Sequence, residues 1–330
     1  MSDTLAEPLT PEVLESYDRL RADCGLLLLE DICIIEIRGE DRKGWLQGQA
    51  TNDLKQLDSG ASTSFCICSP TGQLVSICDI WGLGDRFILT CKRSTVAGVM
   101  HRFDQMVILE DVEARDVTTE YSLMSVQGPN ATAALHGVVG LPTLDAADSM
   151  ASANPVVVLR SDRSGAGGWD ILIPKSDLNT VEALVDRFHT VSAGAREIAR
   201  IESGIPLAGK DWDSRTLPPE LGPAFETRHI SYRKGCYTGQ EVLMRIHSRG
   251  HTNRTWVALQ FDKPVKEGSR VTHSQRNDAG LVTSACYSPE FGWIAAAMLR
   301  NEAVLDGGAV SAPSVDGFAT AEIRDMPFLR

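Results

Sequence analysis

The stretch with the strongest chemical character in the chain covers residues 234–241 and reads Lys-Gly-Cys-Tyr-Thr-Gly-Gln-Glu. Its cysteine, Cys236, follows Lys234 by two residues, and a nearby cation stabilises the reactive thiolate form of a cysteine. Two glycines, Gly235 and Gly239, allow backbone conformations and close approaches that side chains forbid. The sequence therefore leaves two interpretations open. The segment is either a ligand-binding loop with a reactive thiol or a glycine-bounded turn around a buried, inert cysteine.

A basic segment lies within a chain that is acidic as a whole. The formal net charge of the 330 residues is −12, which disfavours broad nucleic-acid binding. Residues 228–254 nevertheless hold six basic residues against one acid, a local balance of +5. This contrast predicts either a focused anion site or a solvated basic face. The basic residues are Arg228, Arg233, Lys234, Arg245, Arg249 and Arg254, and the acid is Glu241.

The composition is that of an ordinary globular protein with more than one domain. Hydrophobic residues make up 43% and charged residues 23% of the chain, enough apolar side chain for sizeable cores. No apolar run approaches the roughly 20 residues of a membrane helix, and the first residues do not resemble a secretory signal. The eight cysteines include no Cys-x-x-Cys pair, which predicts free thiols and no metal site. We expect a cytoplasmic protein that binds neither membranes nor nucleic acids directly.

Strand-like and helix-like stretches are mixed along the chain, which indicates α+β layers with antiparallel sheets. A hairpin turn is expected at residues 69–72, and an amphipathic helix at 177–189. After Arg254, short β-like pieces between Gly, Pro and Asp turns predict a small C-terminal barrel or sandwich. Predicted strands of the first half include residues 62–68, 73–81, 87–91 and 107–117.

Residues 234–241 resemble the signature Lys-Gly-Cys-Tyr-x-Gly-Gln-Glu of the YgfZ family, which are folate-binding relatives of the glycine-cleavage T-protein (GcvT, aminomethyltransferase). Five further stretches are similar to segments of that family and follow in the family's order. They are residues 47–54, 199–206, 209–211 with 217–220, 249–254, and 280–284 with 288–289. Together they extend the resemblance over about residues 30–325.

This resemblance implies a fold and a set of contacts. The fold is an α+β, three-domain cloverleaf of the aminomethyltransferase folate-binding type, with antiparallel sheets and a C-terminal β-barrel. Two interleaved α/β folate-binding domains would occupy residues 1–253, divided at about 50–150, and the barrel residues 254–330. The implied cofactor is tetrahydrofolate or a one-carbon derivative in a central opening. Cys236 and Lys234 would be the reacting groups, and the cofactor-binding residues would be Asn52, Asp53, Asp170, Arg200, Gly235, Tyr237, Gly239, Gln240, Glu241 and Arg249.

T-proteins bind the pterin through a glutamate that follows a Gly-aromatic pair, and Gly168-Trp169-Asp170 resembles that pattern with a shorter acid. A carboxylate accepts two hydrogen bonds from an aminopyrimidine edge, so Asp170 is expected to hold the pterin. The alternative is a solvent-facing acid on an edge strand. If the resemblance holds, Asp170 and the Cys236 loop should face one shared cavity.

T-proteins also carry a required carboxylate in the strand after a Gly-Gly turn, and the corresponding stretch here is residues 71–79. Our alignment puts Ser76 or Ile77 at that position, and neither can stabilise a developing positive charge. Asp79 lies two or three residues further on. Because a shift of two residues keeps the same strand face, Asp79 either substitutes for the missing acid or is an ordinary polar residue at a strand end.

The signature and the missing acid lead us to expect a folate-binding accessory factor that supports the assembly or maintenance of iron–sulfur enzymes, including tRNA-modifying ones. Classical aminomethyltransferase activity would be absent, and the partners would be folate and iron–sulfur client or assembly proteins. The alternative is a tetrahydrofolate-dependent aminomethyltransferase, or a demethylase of a small methylated amine. The sequence has neither a Gly-x-Gly-x-x-Gly fingerprint at a strand–helix junction nor a Walker loop, so hydride transfer and nucleotide hydrolysis have no support.

Overall fold

The computed structural model of the chain describes residues 9–58, 60–145, 148–153 and 155–328. Those residues form sixteen strands, nine α-helices and two short 3₁₀ helices. The α-helices are α1 (Pro11–Ala22), α2 (Arg42–Gln47), α3 (Val96–Met106), α4 (Ala131–Leu135), α5 (Leu178–Arg187), α6 (Ala193–Glu202), α7 (Pro223–His229), α8 (Gln240–Arg249) and α9 (Asn301–Asp306). The strands are β1 (Gly25–Leu28), β2 (Ile32–Arg38), β3 (Ser62–Cys68), β4 (Leu74–Gly82), β5 (Phe87–Lys92), β6 (Glu113–Asp116), β7 (Tyr121–Gln127), β8 (Met150–Ala153), β9 (Val156–Arg160), β10 (Gly168–Pro174), β11 (Arg254–Phe261), β12 (Arg270–His273), β13 (Arg276–Ser288), β14 (Gly292–Arg300), β15 (Val310–Ser314) and β16 (Gly317–Arg324).

The chain divides into two compact units, and each unit draws on separate stretches of sequence. We call them the barrel unit and the sheet unit. Of the described residues, the barrel unit takes those up to Tyr17, Ser192–Glu226 and those from Arg245 onward. The sheet unit takes Asp18–Val191 and Thr227–Met244. The segment that contains residues 234–241 therefore belongs to the sheet unit, although it is far in sequence from the rest of that unit.

The sheet unit is built on two antiparallel five-stranded sheets. The first has the strand order β3-β4-β5-β2-β6 and the second β1-β7-β10-β9-β8. Alternation along β4 gives the first sheet two different faces, since successive side chains of a strand point to opposite sides. Cys78 and Ile80 enter the core under α3, where Phe103 packs edge-on against Trp45 with ring centroids 5.0 Å apart. Asp79 lies between them in sequence and faces the other way.

The barrel unit contains a closed six-stranded barrel in the order β11-β14-β13-β12-β15-β16. Small side chains fill much of its interior, among them Ala295, Ala297, Ala312 and Ala319. A small barrel has little room inside, and alanines at the inward positions fit that space. The expected α+β class with antiparallel sheets and a C-terminal β-barrel is thus confirmed.

Most of the predicted elements agree with the structure, with one clear exception. The hairpin turn at residues 69–72 joins β3 to β4, and the helix predicted at 177–189 is α5. The strand predicted at residues 107–117 was wrong in extent, because only Glu113–Asp116 pairs with β2. Ile108 and Leu109 are 77% and 94% exposed, so these apolar residues do not belong to a core strand. Across the residues described, none of the helices combines the length and the apolar character needed to cross a membrane.

A buried polar network joins α6 to the barrel inside the barrel unit. Arg200 donates to both oxygens of Glu197, to the carboxylate of Asp211 at 2.7 Å and to Ser284 Oγ at 2.8 Å. Burial alone would raise the pKa of Glu197, but the hydrogen bond and charge of Arg200, with help from Lys210, lower it to about 2. A carboxyl group with a depressed pKa stabilises the fold above its unfolded pKa, and loses that contribution as pH falls toward the folded pKa.

We predict that Glu197→Gln lowers the free energy of unfolding by about 2–3 kcal/mol at pH 7, the size that such a pKa difference implies after allowance for partial exposure. The loss should shrink between about pH 4.5 and pH 2, where wild-type Glu197 itself becomes protonated. Urea denaturation over a pH series measures this, with the exposed Glu12→Gln as control. An equal loss at pH 7 and pH 2.5 would contradict the prediction.

Candidate functional site

A cleft of about 270 Å³ lies between the two sheets of the sheet unit. One wall comes from β3 and β4, and the other from the end of β9 and the loop that leads into β10. The indole Nε1 of Trp81 donates a 3.1 Å hydrogen bond to the carbonyl of Arg160 and so connects the walls. The lining residues are Ser62, Thr63, Ser64, Asp79, Trp81, Arg160, Ser161, Asp162, Gly167, Gly168 and Arg228.

Asp79 contributes a carboxylate to this cleft. It lies opposite Ser64 in the β3–β4 ladder, and Ser64 Oγ donates to Asp79 Oδ1 at 2.5 Å. Ser76, one of the two positions that our alignment favoured, is 1% exposed and bonds to Thr95 Oγ1 at 2.8 Å on the core side. Ile77, the other, is apolar. Of these three positions, only Asp79 can present a negative charge to the cleft.

The cleft holds one further carboxylate and one accessible cation. Asp162 Oδ1 accepts from the backbone N–H groups of Ser164 and Gly165. Arg160 lines the cleft, but its guanidinium packs 4.3 Å from the centre of the Trp169 ring and bonds to Asp148 O. Arg228 is exposed, and among the described residues its guanidinium has neither a hydrogen bond nor an ion pair. The cleft therefore combines two carboxylates, several hydroxyl groups and the open guanidinium of Arg228.

Asp170, which we expected to bind the pterin, is fully buried. Both of its oxygens accept hydrogen bonds from the guanidinium of Arg163, with Nε at 2.9 and 3.1 Å. Burial opposes the charge on Arg163, but Asp170 outweighs it and raises the pKa of the arginine. Asp170 does not line the cleft, and neither does Cys236. The structure therefore does not bring these two residues together at the cleft that it describes.

Lys234 is buried and its ammonium is surrounded by backbone carbonyl groups. The Nζ atom donates to the carbonyls of Gln47 at 2.7 Å, Ala50 at 2.5 Å and Asn52 at 2.8 Å. Burial lowers the pKa of Lys234 to about 8, partly offset by the charge of Asp53. All three N–H donors of the ammonium are thus engaged with the protein, which makes Lys234 an anchor of residues 47–52.

The rest of the signature forms the connection around this anchor. Gly239 has φ +84°, and a Cβ there would lie 2.7 Å from the carbonyl oxygen of Ser69, so glycine is required where the loop meets the 69–72 turn. A Cβ at Gly235 would meet open space. Tyr237 is buried, and its hydroxyl has no partner among the described residues. Cys236 is exposed, in contrast to the seven other cysteines, so the expectation of a buried cysteine was wrong.

Asn52 and Asp53 lie at the turn that Lys234 holds. The side-chain amide of Asn52 donates to Ser64 O at 2.9 Å and to Arg228 O at 3.0 Å. Asp53 accepts from the backbone of Lys55 and from Gln47 Nε2, and the bond from Lys55 is the main cause that lowers its pKa. The structure thus brings Asn52, Asp53 and Lys234 together, but they bond mostly to the protein itself.

The remaining predicted site residues lie elsewhere. Arg200 belongs to the buried network of the barrel unit. Gln240 and Glu241 begin α8, and Arg249 ends it, with a side chain outside the described part of the chain. Of the arginines in the basic segment, Arg228 lines the cleft, while Arg254 is paired with Glu220 at 3.0 Å.

Sequence reasoning did not identify Ser62, Ser64 and Asp162 as lining residues. The hairpin turn fixes which residues of β3 and β4 lie opposite each other, and side chains alternate between the two faces of each strand. Together these two features could have placed Ser64 opposite Asp79. No local pattern predicts the second wall, since it comes from another sheet.

The Arg163–Asp170 pair gives a prediction about stability. Arg163→Met should cost about 3–5 kcal/mol of unfolding free energy, because it leaves a buried carboxylate without its partner. The double variant with Asp170→Asn should recover at least half of that loss. Chemical denaturation measures both, and Arg115→Met, which breaks the exposed pair with Glu120, should cost under about 1 kcal/mol. A double variant no more stable than Arg163→Met would contradict this account.

Comparison with known proteins bears on the expected function. The GCVT N-terminal domain family matches residues 6–228, and the glycine cleavage T-protein C-terminal barrel domain family matches residues 254–329. An aminomethyltransferase of Listeria monocytogenes serotype 4a is 26% identical over 288 residues, covering 84% of this chain and 78% of the relative. One from Parafrankia sp. is 25% identical over 332 residues, with coverages of 96% and 89%.

A solved structure has the same fold. The glycine cleavage system aminomethyltransferase T from Bartonella henselae superposes with a TM-score of 0.84 at 21% identity, over 98% of this chain and 91% of that protein. The two relatives are named aminomethyltransferase, and nothing in these comparisons indicates a role in iron–sulfur metabolism. The expectation of an iron–sulfur accessory factor without transferase activity was therefore wrong. By its two matched domains, the chain belongs to the glycine cleavage T-protein family.

Proposed function

We propose that this chain is a tetrahydrofolate-dependent transferase of the aminomethyltransferase type, which binds a reduced folate in the cleft of its sheet unit. The observation that carries this proposal is the carboxylate of Asp79, half-buried on a cleft wall and held by Ser64. The names of the relatives support the same chemistry.

The residues of the cleft fit the chemical groups of a folate. A pterin ring offers hydrogen-bond donors and acceptors along its edge, which match the carboxylate of Asp79 and the hydroxyls of Ser62 and Ser64. The glutamate tail ends in carboxylates, and the open guanidinium of Arg228 can bind one in a two-pronged way. At about 270 Å³ the cleft is slightly smaller than the roughly 300–1,000 Å³ of typical small-molecule sites. It suits one ring system with a tail that extends outward.

When bound, tetrahydrofolate supplies the nitrogen atoms that accept a one-carbon unit. Asp79 supplies a fixed negative charge beside the place where a positive charge develops on a substrate nitrogen, and a preorganised charge of this kind stabilises the transition state. Ser64 holds that carboxylate in one orientation. Trp81 and the opposite wall exclude water from one side, which strengthens the electrostatic effect.

Within the family, we propose a YgfZ-type assignment for the chain, on the basis of the signature at residues 234–241. This assignment rests on sequence similarity alone and implies no activity. Its consequence for the site is structural, since the signature lysine is an anchor of the turn that carries Asn52.

Asp79→Asn tests the proposed function. Purified protein with tetrahydrofolate and a lipoyl-bound aminomethyl donor should form methylenetetrahydrofolate. The Asp79→Asn variant should lose about 100-fold or more in kcat, since it lacks the charge but keeps the shape. Its affinity for the folate should stay within about fivefold of the wild-type value, because the amide keeps one of the two acceptors.

Asp85→Asn, which changes an exposed carboxylate outside the cleft lining, is the matched control and should keep full activity. A wild-type protein without turnover, or an undiminished Asp79→Asn variant, would overturn the proposal.

A further inference from the structure

We infer that Asn52 and Lys234 are positioning residues, which together fix Arg228 beside the cleft wall that carries Asp79. The identity of the ligand rests on the proposed function. The positioning of Arg228 rests on hydrogen bonds within the sheet unit. The inference assigns the signature lysine a role without any contact to the reacting groups.

Arg228 depends on its backbone for its position. Its guanidinium has no hydrogen bond or ion pair within the described ranges, so the side chain itself does not fix the charge in place. The backbone is held instead, because Asn52 Nδ2 donates to the carbonyl of Arg228 at 3.0 Å. The same amide group donates to the carbonyl of Ser64 at 2.9 Å. One amide thus joins the cation of the cleft to the residue whose hydroxyl holds Asp79.

Thr51 strengthens this connection on both sides. Its hydroxyl donates to the carbonyl of His229 at 2.7 Å and accepts from the backbone N–H of Cys66 at 2.8 Å. Its own carbonyl accepts from the backbone N–H of Ser231 at 3.0 Å. The turn at residues 50–52 therefore lies between β3 and the stretch after Arg228, and bonds to each of them.

Lys234 holds that turn through its backbone oxygens. Its three bonds reach the carbonyls of Gln47, Ala50 and Asn52, and the ring of Tyr237 lies 5.1 Å from Nζ. Buried carbonyl groups that lose their donor disfavour the conformation that buries them. Loss of the ammonium should therefore release the turn, and with it the backbone at Arg228.

A double-mutant cycle on Asn52 and Arg228 tests the inference, with 5-formyltetrahydrofolate as the probe and calorimetry as the readout. Asn52→Asp and Arg228→Met should each weaken binding about tenfold. The double variant should be about tenfold weaker as well, because Asn52 holds only the backbone carbonyl of Arg228 and so affects binding through the guanidinium that Arg228→Met has already removed. Independent structural damage would give additive losses, about a hundredfold in the double variant, and would overturn the inference.

Hydrogen exchange provides a readout that needs no ligand. In Lys234→Met, amide exchange over residues 227–232 should rise about tenfold, while β11 in the barrel unit should be unchanged, because only a local opening is made easier. Lys55→Met removes an exposed lysine close to the same turn and should leave exchange unchanged. Unaltered exchange over 227–232 in Lys234→Met would overturn the inference. If the wild-type protein binds no folate, the proposed function fails, and the exchange result alone decides whether Lys234 positions this segment.

Discussion

Three backbone carbonyl groups at the end of α2 and in the following turn converge on the ammonium group of Lys234. An unpaired buried carbonyl costs about 1–3 kcal/mol, so the conformation of residues 47–52 depends on a lysine 182 positions after Asn52 in the chain. That turn also bonds to β3 and to the stretch that begins with Arg228. The geometry of the cleft thus follows from one cation and the backbone oxygens around it.

Two kinds of charged group can be distinguished in this protein. Arg163 with Asp170, and Arg200 with Glu197 and Asp211, are opposite charges that bond to each other inside the fold. Asp79 and Arg228 remain available at the cleft surface. The motifs that indicated the family belong mainly to the first kind: Arg200 and Asp211, for example, lie in two of the family-like stretches and pair with each other inside the barrel unit. Resemblance to family segments therefore located the framework of the protein better than its site.

The sequence predicted the local elements well, since alternation and turn residues determine them. A two-residue alternation of side chains predicts the strands β3, β4 and β5. Pro70 and Gly72 predict the hairpin turn between β3 and β4. A strand such as β12 gives only a weak pattern, because it has four residues with few apolar side chains. The cleft could not be predicted from the sequence for a different reason. Its walls belong to two sheets that meet through Trp81 and the Arg160 carbonyl, a contact between residues 79 positions apart that no local pattern encodes.

The same limit explains why the sequence left the partners of single residues undetermined. Asp170 follows a Gly-Trp pair as a pterin-binding acid should, but the sequence does not reveal that Arg163 occupies its oxygens. The sequence left Asp79 as either a substitute for the missing acid or a polar residue at a strand end, and the structure shows it bonded to Ser64 on the wall of the cleft. In both cases the type of residue was informative, and the partner that determines its role came from elsewhere in the fold.

The central claim, that a reduced folate binds between the two sheets of the sheet unit, is tested most directly by a crystal structure of the protein with 5-formyltetrahydrofolate. The account predicts electron density for the pterin ring within hydrogen-bond distance of Asp79, and a tail carboxylate on Arg228. A folate bound at another site, with Asp79 and Arg228 in contact only with solvent, would contradict it.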